Sequence, residues 1–126
     1  MSDLSEFYGI EILKGWVVIT RTGRGFAGMA EIRSISEQVI AKLADHRRSP
    51  LLVDLRKAPG RSDPAFESYF AEYRTRMLAD HPRAAIVVQS AVGSLQVRRH
   101  MREDNQDRRV RVFQSLEDAH TYLAQV

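Results

Sequence analysis

The chain reads as an α/β fold: a five-stranded, mostly parallel mixed sheet and four helices in the order β-β-α-β-α-β-α-β-α. Two observations carry this reading. Short apolar runs alternate with segments whose apolar residues recur every three or four positions, the pattern of parallel strands joined by helical crossovers. The first two runs, however, are separated only by Lys14-Gly15, too little chain for a crossover, so the sheet must open with an antiparallel pair. The 126 residues suit one domain, 1–126, large enough to bury a core without metal or disulfide staples.

Each element has a local reason. FYGIEIL at Phe7–Leu13 and GWVVIT at Gly15–Thr20 are β-rich, and glycine at the junction supplies the backbone freedom a tight hairpin turn needs. From Gly28 to about His46, Met29, Ile32, Ile35, Val39, Ile40 and Leu43 form one apolar helical stripe, and Ser49-Pro50 stops it. LLVDL at Leu51–Leu55 is short and continuously apolar, as expected of a strand buried on both faces. Asp63-Pro64 has the form of an N-cap followed by a first-turn proline, opening a second helix, 64–79, that ends near Asp80. AAIVVQ at Ala84–Gln89 predicts the fourth strand. After a break at Ser90–Gly93, a third helix is expected from Ser94 to about Asp104. Val110–Phe113 completes the sheet, and Ser115-Leu116-Glu117-Asp118 fits a capping box at the start of the last helix.

Composition excludes several functions. There is no cysteine, hence no disulfide framework, thiolate metal site or cysteine nucleophile. The start, MSDLSEF, is unlike a signal peptide, and no apolar run approaches the ~18 residues of a membrane span; a cytoplasmic location is expected. The net charge is +3, and 16 of the 19 basic residues are arginine. Sixteen acidic residues are interspersed with them, and the stacking aromatics of a nucleic-acid surface are missing, so nucleic acid is not the expected partner. His46, His81, His100 and His120 show no metal-ligand spacing, and no serine lies in a G-x-S-x-G elbow. No catalytic residue, metal site or cofactor is predicted, and the chain is not expected to be an enzyme.

One motif invites a different conclusion. TGRGFAGM, Thr22–Met29, contains G-x-G-x-x-G between an apolar run and a helix, the arrangement that cradles a dinucleotide pyrophosphate. Yet Arg21-Thr22 separates the run from the first glycine, and the strand before it is the second arm of a hairpin. The next acidic strand end, Asp54, also lies further on than the roughly 20 residues usual for ribose recognition. The segment is therefore read as a flexible strand-to-helix connection.

The order of these pieces resembles the SpoIIAA-like proteins, which are grouped with STAS domains and CRAL-TRIO lipid-binding folds. The likeness spans nearly the whole chain: the hairpin, the LLVDLR strand with its PG-containing loop, the RAAIVVQS strand, the arginine-rich third helix and the ending RVFQSLEDAHTYL. It implies a small, mostly bacterial α/β domain that binds a protein partner or holds an apolar ligand. In the anti-sigma-factor antagonists of that group a phosphorylatable serine sits at the start of the helix after the corresponding strand, within Asp-Ser-Ser/Thr-Gly; here the segment reads Arg61-Ser62-Asp63-Pro64. Ser62 is the candidate phosphorylation site, although the motif itself is absent.

In open α/β sheets, partners meet the crevice beyond the carboxyl ends of the strands. That places the expected partner surface at the loop 56–64 and the neighbouring helix start: Asp54, Arg56, Arg61, Ser62, Asp63, Ser90 and Ser94. The alternative is an apolar or lipid-like ligand lined by Phe66, Tyr69, Phe70 and Tyr73, a spacing that core packing explains equally. Tyrosine hydroxyls prefer water or a partner, so one edge of this row is expected at the surface. Arg98, Arg99 and Arg102, followed by Arg108, Arg109 and Arg111, make a basic helix face suited to solvent, an acidic protein surface or a lipid head group. A homodimer is compatible with the sequence.

Overall fold

The computed structural model describes residues 3–59, 64–103, 105 and 108–125. Five strands form one sheet: β1 (Tyr8–Ile12), β2 (Val17–Arg21), β3 (Leu51–Asp54), β4 (Ala84–Val87) and β5 (Val110–Phe113). They lie side by side in sequence order, with β1 antiparallel to β2 and every later pair parallel. The helices are α1 (Met29–Leu43), α2 (Pro64–Leu78), α3 (Ala91–Glu103) and α4 (Leu116–Leu123). The predicted architecture is therefore the observed one.

Strand order explains the layering. Each parallel crossover steps one strand in the same direction, and crossovers share one hand, so α1, α2 and α3 must fall on a single face. The packing agrees: Ile35 and Val39 of α1, Tyr73 and Met77 of α2 and Met101 of α3 share a core with Ile19, Val53, Ile86 and Val112. The opposite face is left to α4, whose Ala119 and Leu123 cover Leu52, Ala85 and Val87. β3 and β4 are buried at every position, because these central strands have a neighbouring strand at each edge as well as helices on both faces.

The hairpin turn contains Gly15 at φ 112°, a left-handed backbone that a side chain resists. β2 runs one residue further than expected, because Arg21, assigned to the connection by its charge, is a paired strand residue opposite Tyr8. It is buried, with Nη1 donating to the carbonyls of Phe7 and Thr22. The third helix starts at Ala91, not Ser94. Ser90 caps it, its hydroxyl accepting from the Gly93 amide at 3.1 Å and its carbonyl from the Ser94 amide at 2.9 Å. Gly93, read as part of a break, sits in the first turn, where glycine is tolerated. At α4 the Ser115 hydroxyl accepts from the Asp118 amide as expected.

The far end of α2 is tied down by arginines. Asp80, at φ 67°, ends the helix in a left-handed turn. Arg47 donates to the carbonyls of Met77 (2.8 Å) and Ala79 (3.0 Å), and Arg109 to those of Leu78 and His81. These cations answer the unpaired carbonyls and negative dipole end of the helix. Arg76 and Glu37 add a two-pronged link between α2 and α1, at 2.6 and 2.9 Å.

Candidate partner-binding surface

β2, β3 and β4 run in one direction, so their carboxyl ends converge on one edge of the sheet. There a cleft of about 290 Å³ is lined by Thr20, Asp54, Arg56, Lys57 and Gln89. Its fixed point is Asp54, the last residue of β3, only 7% exposed. Arg56, two residues on, donates to both carboxylate oxygens, from Nε at 3.0 Å and Nη2 at 2.8 Å, and its own amide adds a third bond at 3.1 Å. Burial alone would push the Asp54 carboxyl up; the hydrogen bonds and charge of Arg56, helped by Lys57, outweigh it and hold the carboxyl below its ordinary value. The same pair raises Arg56. A carboxylate held ionised in a bidentate clamp is a structural anchor, unsuited to donating or shuttling protons near neutrality.

The clamp ties Arg56, the second residue beyond β3, back to the end of the strand. Arg61, Ser62 and Asp63, predicted for this surface, lie outside the described residues, as does the predicted N-cap role of Asp63. Ser90 is exposed at the start of α3, beside the same edge, whereas Ser94 is buried and contributes to packing beneath the helix. Val92 and Leu95, three residues apart on the first turns of α3, are each 65% exposed. Sequence reasoning did not single them out: apolar residues at that spacing normally face the core, and the break assigned to 90–93 hid the first of them. Lys57 lies in the expected loop 56–64, whereas Thr20 and Gln89 were also missed; their only signal was position at a strand end.

The glycine trio holds no phosphate-binding geometry. None of Gly23, Gly25 and Gly28 has a left-handed φ, and the Ala27 amide at the mouth of α1 is taken by the Glu31 carboxylate at 2.8 Å. A negative charge thus occupies the place a pyrophosphate would need. The segment is also pinned rather than loose. Phe26 stacks on Phe7 at 4.7 Å, the Arg21 guanidinium lies 4.6 Å from the Phe26 ring centre, and Arg24 pairs with Glu6 at 3.0 Å.

The aromatic row of α2 packs against itself and the core. Phe66 stacks on Phe70 at 4.8 Å, and Phe70 meets Tyr73 edge-on at 5.3 Å. Phe66, Tyr69 and Phe70 are half-buried and Tyr73 is buried, so one edge of the row does reach the surface. The hydroxyls do not follow it: those of Tyr69 and Tyr73 are buried, Tyr69's without a hydrogen-bond partner among the described residues and Tyr73's facing the hydroxyl of Tyr8 short of full hydrogen-bond geometry. No cluster of three or more potential metal-ligating side chains occurs among the described residues, and no described helix is long and apolar enough to cross a membrane.

An open sheet with one antiparallel edge strand, three crossover helices on one face and a terminal helix on the other defines a small α/β class, and comparison with solved structures identifies it. The chain has the SpoIIAA-like fold. It is similar to an uncharacterized protein with a SpoIIAA-like fold from Shewanella loihica (TM-score 0.62, 17% identity, covering 93% of this chain and 92% of that one). It is similar also to an anti-sigma factor antagonist from Mycobacterium paratuberculosis (TM-score 0.60, 18% identity, 94% and 93%). No protein-family model and no curated protein sequence matches the chain.

Proposed function

We propose that this domain is a non-enzymatic regulatory module that binds a protein partner at the carboxyl edge of its sheet, through the loop 56–64 and the start of α3. The observation that carries the reading is the exposure of Val92 and Leu95 at the strand-end edge that also carries the Asp54–Arg56 clamp. Apolar contact area on a rigid support, rimmed by charge, is what a protein interface requires. The fold shared with an anti-sigma factor antagonist supports it. Phosphorylation of Ser62 would add charge beside the start of α2 and give the contact a switch.

The test is co-purification from the native host with tagged wild type and with Val92→Asp/Leu95→Asp. A specific protein held by the wild type and lost from the variant, at unchanged melting temperature, supports the reading; retention by the variant refutes the surface. A second reading, an apolar ligand between helix 64–79 and the sheet, is favoured by the buried Tyr69 hydroxyl, unpartnered among the described residues, which a ligand head group would satisfy. Native mass spectrometry distinguishes it by a bound small molecule that Tyr69→Phe/Tyr73→Phe releases.

A further inference from the structure

β5 is the last strand of the sheet, paired with β4 on one side only. The Ala84 and Val88 amides donate to the carbonyls of Arg109 and Phe113, so the odd-numbered residues of β5 turn their carbonyls toward β4. By the two-residue alternation of a strand, Val110 and Val112 turn theirs away, along with their amides. This outer edge opens into a groove of about 480 Å³. Behind it lie the buried side chains of Met101, Val110 and Val112 and the half-buried ring of Phe113, and its rims are Arg98 and Arg102 of α3 and Arg111 of β5.

The arginines straddle the edge. Arg111 lies opposite Ala85 in register, hence on the α4 face, where its guanidinium sits 5.6 Å from the Tyr122 ring centre. Arg98 and Arg102 stand on the opposite face with α3. None of the three makes an ion pair with a described residue, whereas the neighbouring Arg99 lies 3.8 Å from Glu103. Arg98 instead donates to the outward carbonyl of Val112, at 3.2 Å. It occupies one of the edge's main-chain groups, a device that blunts an open strand.

We propose that the β5 edge is a second binding surface, which takes an extended acidic segment of a protein partner as an added strand. A strand laid against β5 sends successive side chains to alternate faces. Carboxylates on either face meet guanidinium groups, an apolar residue meets the half-buried ring of Phe113, and the peptide main chain uses the outward-facing groups of Val110 and Val112. Arg98 then exchanges the Val112 carbonyl for a carboxylate, a stronger partner for its charge. An anionic lipid surface or nucleic acid would use the charges but neither the strand edge nor its register, and the peptide is favoured for that reason.

The test uses the full chain, isotopically labelled, and an end-capped seven-residue peptide, Val-Glu-Glu-Val-Glu-Glu-Val, which as a strand carries carboxylates on both faces. Expected are amide shifts centred on residues 110–113 and a several-fold weakening between about 50 and about 300 mM salt. Arg98→Glu/Arg102→Glu should weaken binding at least about tenfold. Because those substitutions also disturb the α3–β5 contact, the same peptide N-methylated at alternate residues is titrated against the wild type, and one of its two registers should lose binding. Val92→Asp/Leu95→Asp should leave peptide binding unchanged, separating this surface from the one proposed above. Three results would overturn the proposal: no binding, equal binding of both N-methylated peptides, or binding only of single-stranded RNA or phosphatidylserine vesicles.

Discussion

Breaking the Asp54–Arg56 clamp offers a quantitative test of whether the strand-end surface is rigid. Two charge-assisted hydrogen bonds between fully shielded groups contribute about 1.5–3 kcal/mol each. Here the Asp54 side chain is 10% exposed but that of Arg56 is 41% exposed, so water screens one partner and the gain moves toward the ~0–1 kcal/mol of surface pairs. Between these limits, a double-mutant cycle of Asp54→Asn and Arg56→Met should give a coupling of about 1–2 kcal/mol. Asp54→Asn alone should lower the melting temperature by roughly 4–8 °C for a domain of this size. The cycle is read by urea denaturation at low salt and neutral pH. The folded-state value of Asp54 lies below its unfolded value, so the contribution is fully present above the unfolded value of about 3.9 and is lost as pH falls through the folded one. A coupling under about 0.3 kcal/mol, or one unchanged on acidification past that window, would show that the clamp does not order the exit of β3.

Four further outcomes follow from burial and backbone geometry. Tyr69→Phe removes a buried hydroxyl without a hydrogen-bond partner among the described residues, so stability should hold or rise by up to about 1 kcal/mol; a comparable loss would reveal a hydrogen bond. His81 is buried with Nδ1 facing the Ser49 carbonyl at 2.8 Å and Nε2 unpartnered among the described residues. Burial, aided by the charges of Arg47 and Arg109, lowers its value despite that hydrogen bond. The neutral ring is then the folded form, and stability should decline as pH drops below about 6.5; a denaturation series from pH 7.5 to 5 showing no slope that His81→Gln removes would contradict this. Gly15→Ala should cost about 1–2 kcal/mol because φ there is 112°. Gly25→Ala has open space and ordinary backbone, and should change stability by under about 0.5 kcal/mol; a thermal shift with millimolar dinucleotide that Gly25→Val abolishes would reinstate the phosphate-loop reading.

The elements whose sequence matched the structure best are those where one local signal dominates. Val110–Phe113 was bounded correctly because polar residues flank it, and the hairpin because two residues cannot make a crossover. The α3 start was misplaced where local cues conflict: Gly93 looks like a breaker, yet Ser90 supplies a cap that carries the helix past it. Arg21 was misassigned because charge argues for solvent, while the rings of Phe7, Tyr8 and Phe26 and two carbonyls make a buried guanidinium tolerable. In the candidate surface, Asp54 and Arg56 were legible as residues at a strand end, but their mutual clamp was not, since side-chain direction depends on how the loop turns. Val92 and Leu95 could not be separated from core positions without knowing which side of α3 meets β5.

Periodicity, turn chemistry and the alternation of strands with helices are properties of neighbours in the chain, and they sufficed to determine an α/β sheet opening with a hairpin. The order of strands, the gathering of three helices on one face, the exposed apolar turn of α3 and the arginine-rimmed outer edge of β5 arise from contacts between residues far apart in sequence. Those contacts are set by the competition to bury one continuous core, and only the folded chain resolves that competition.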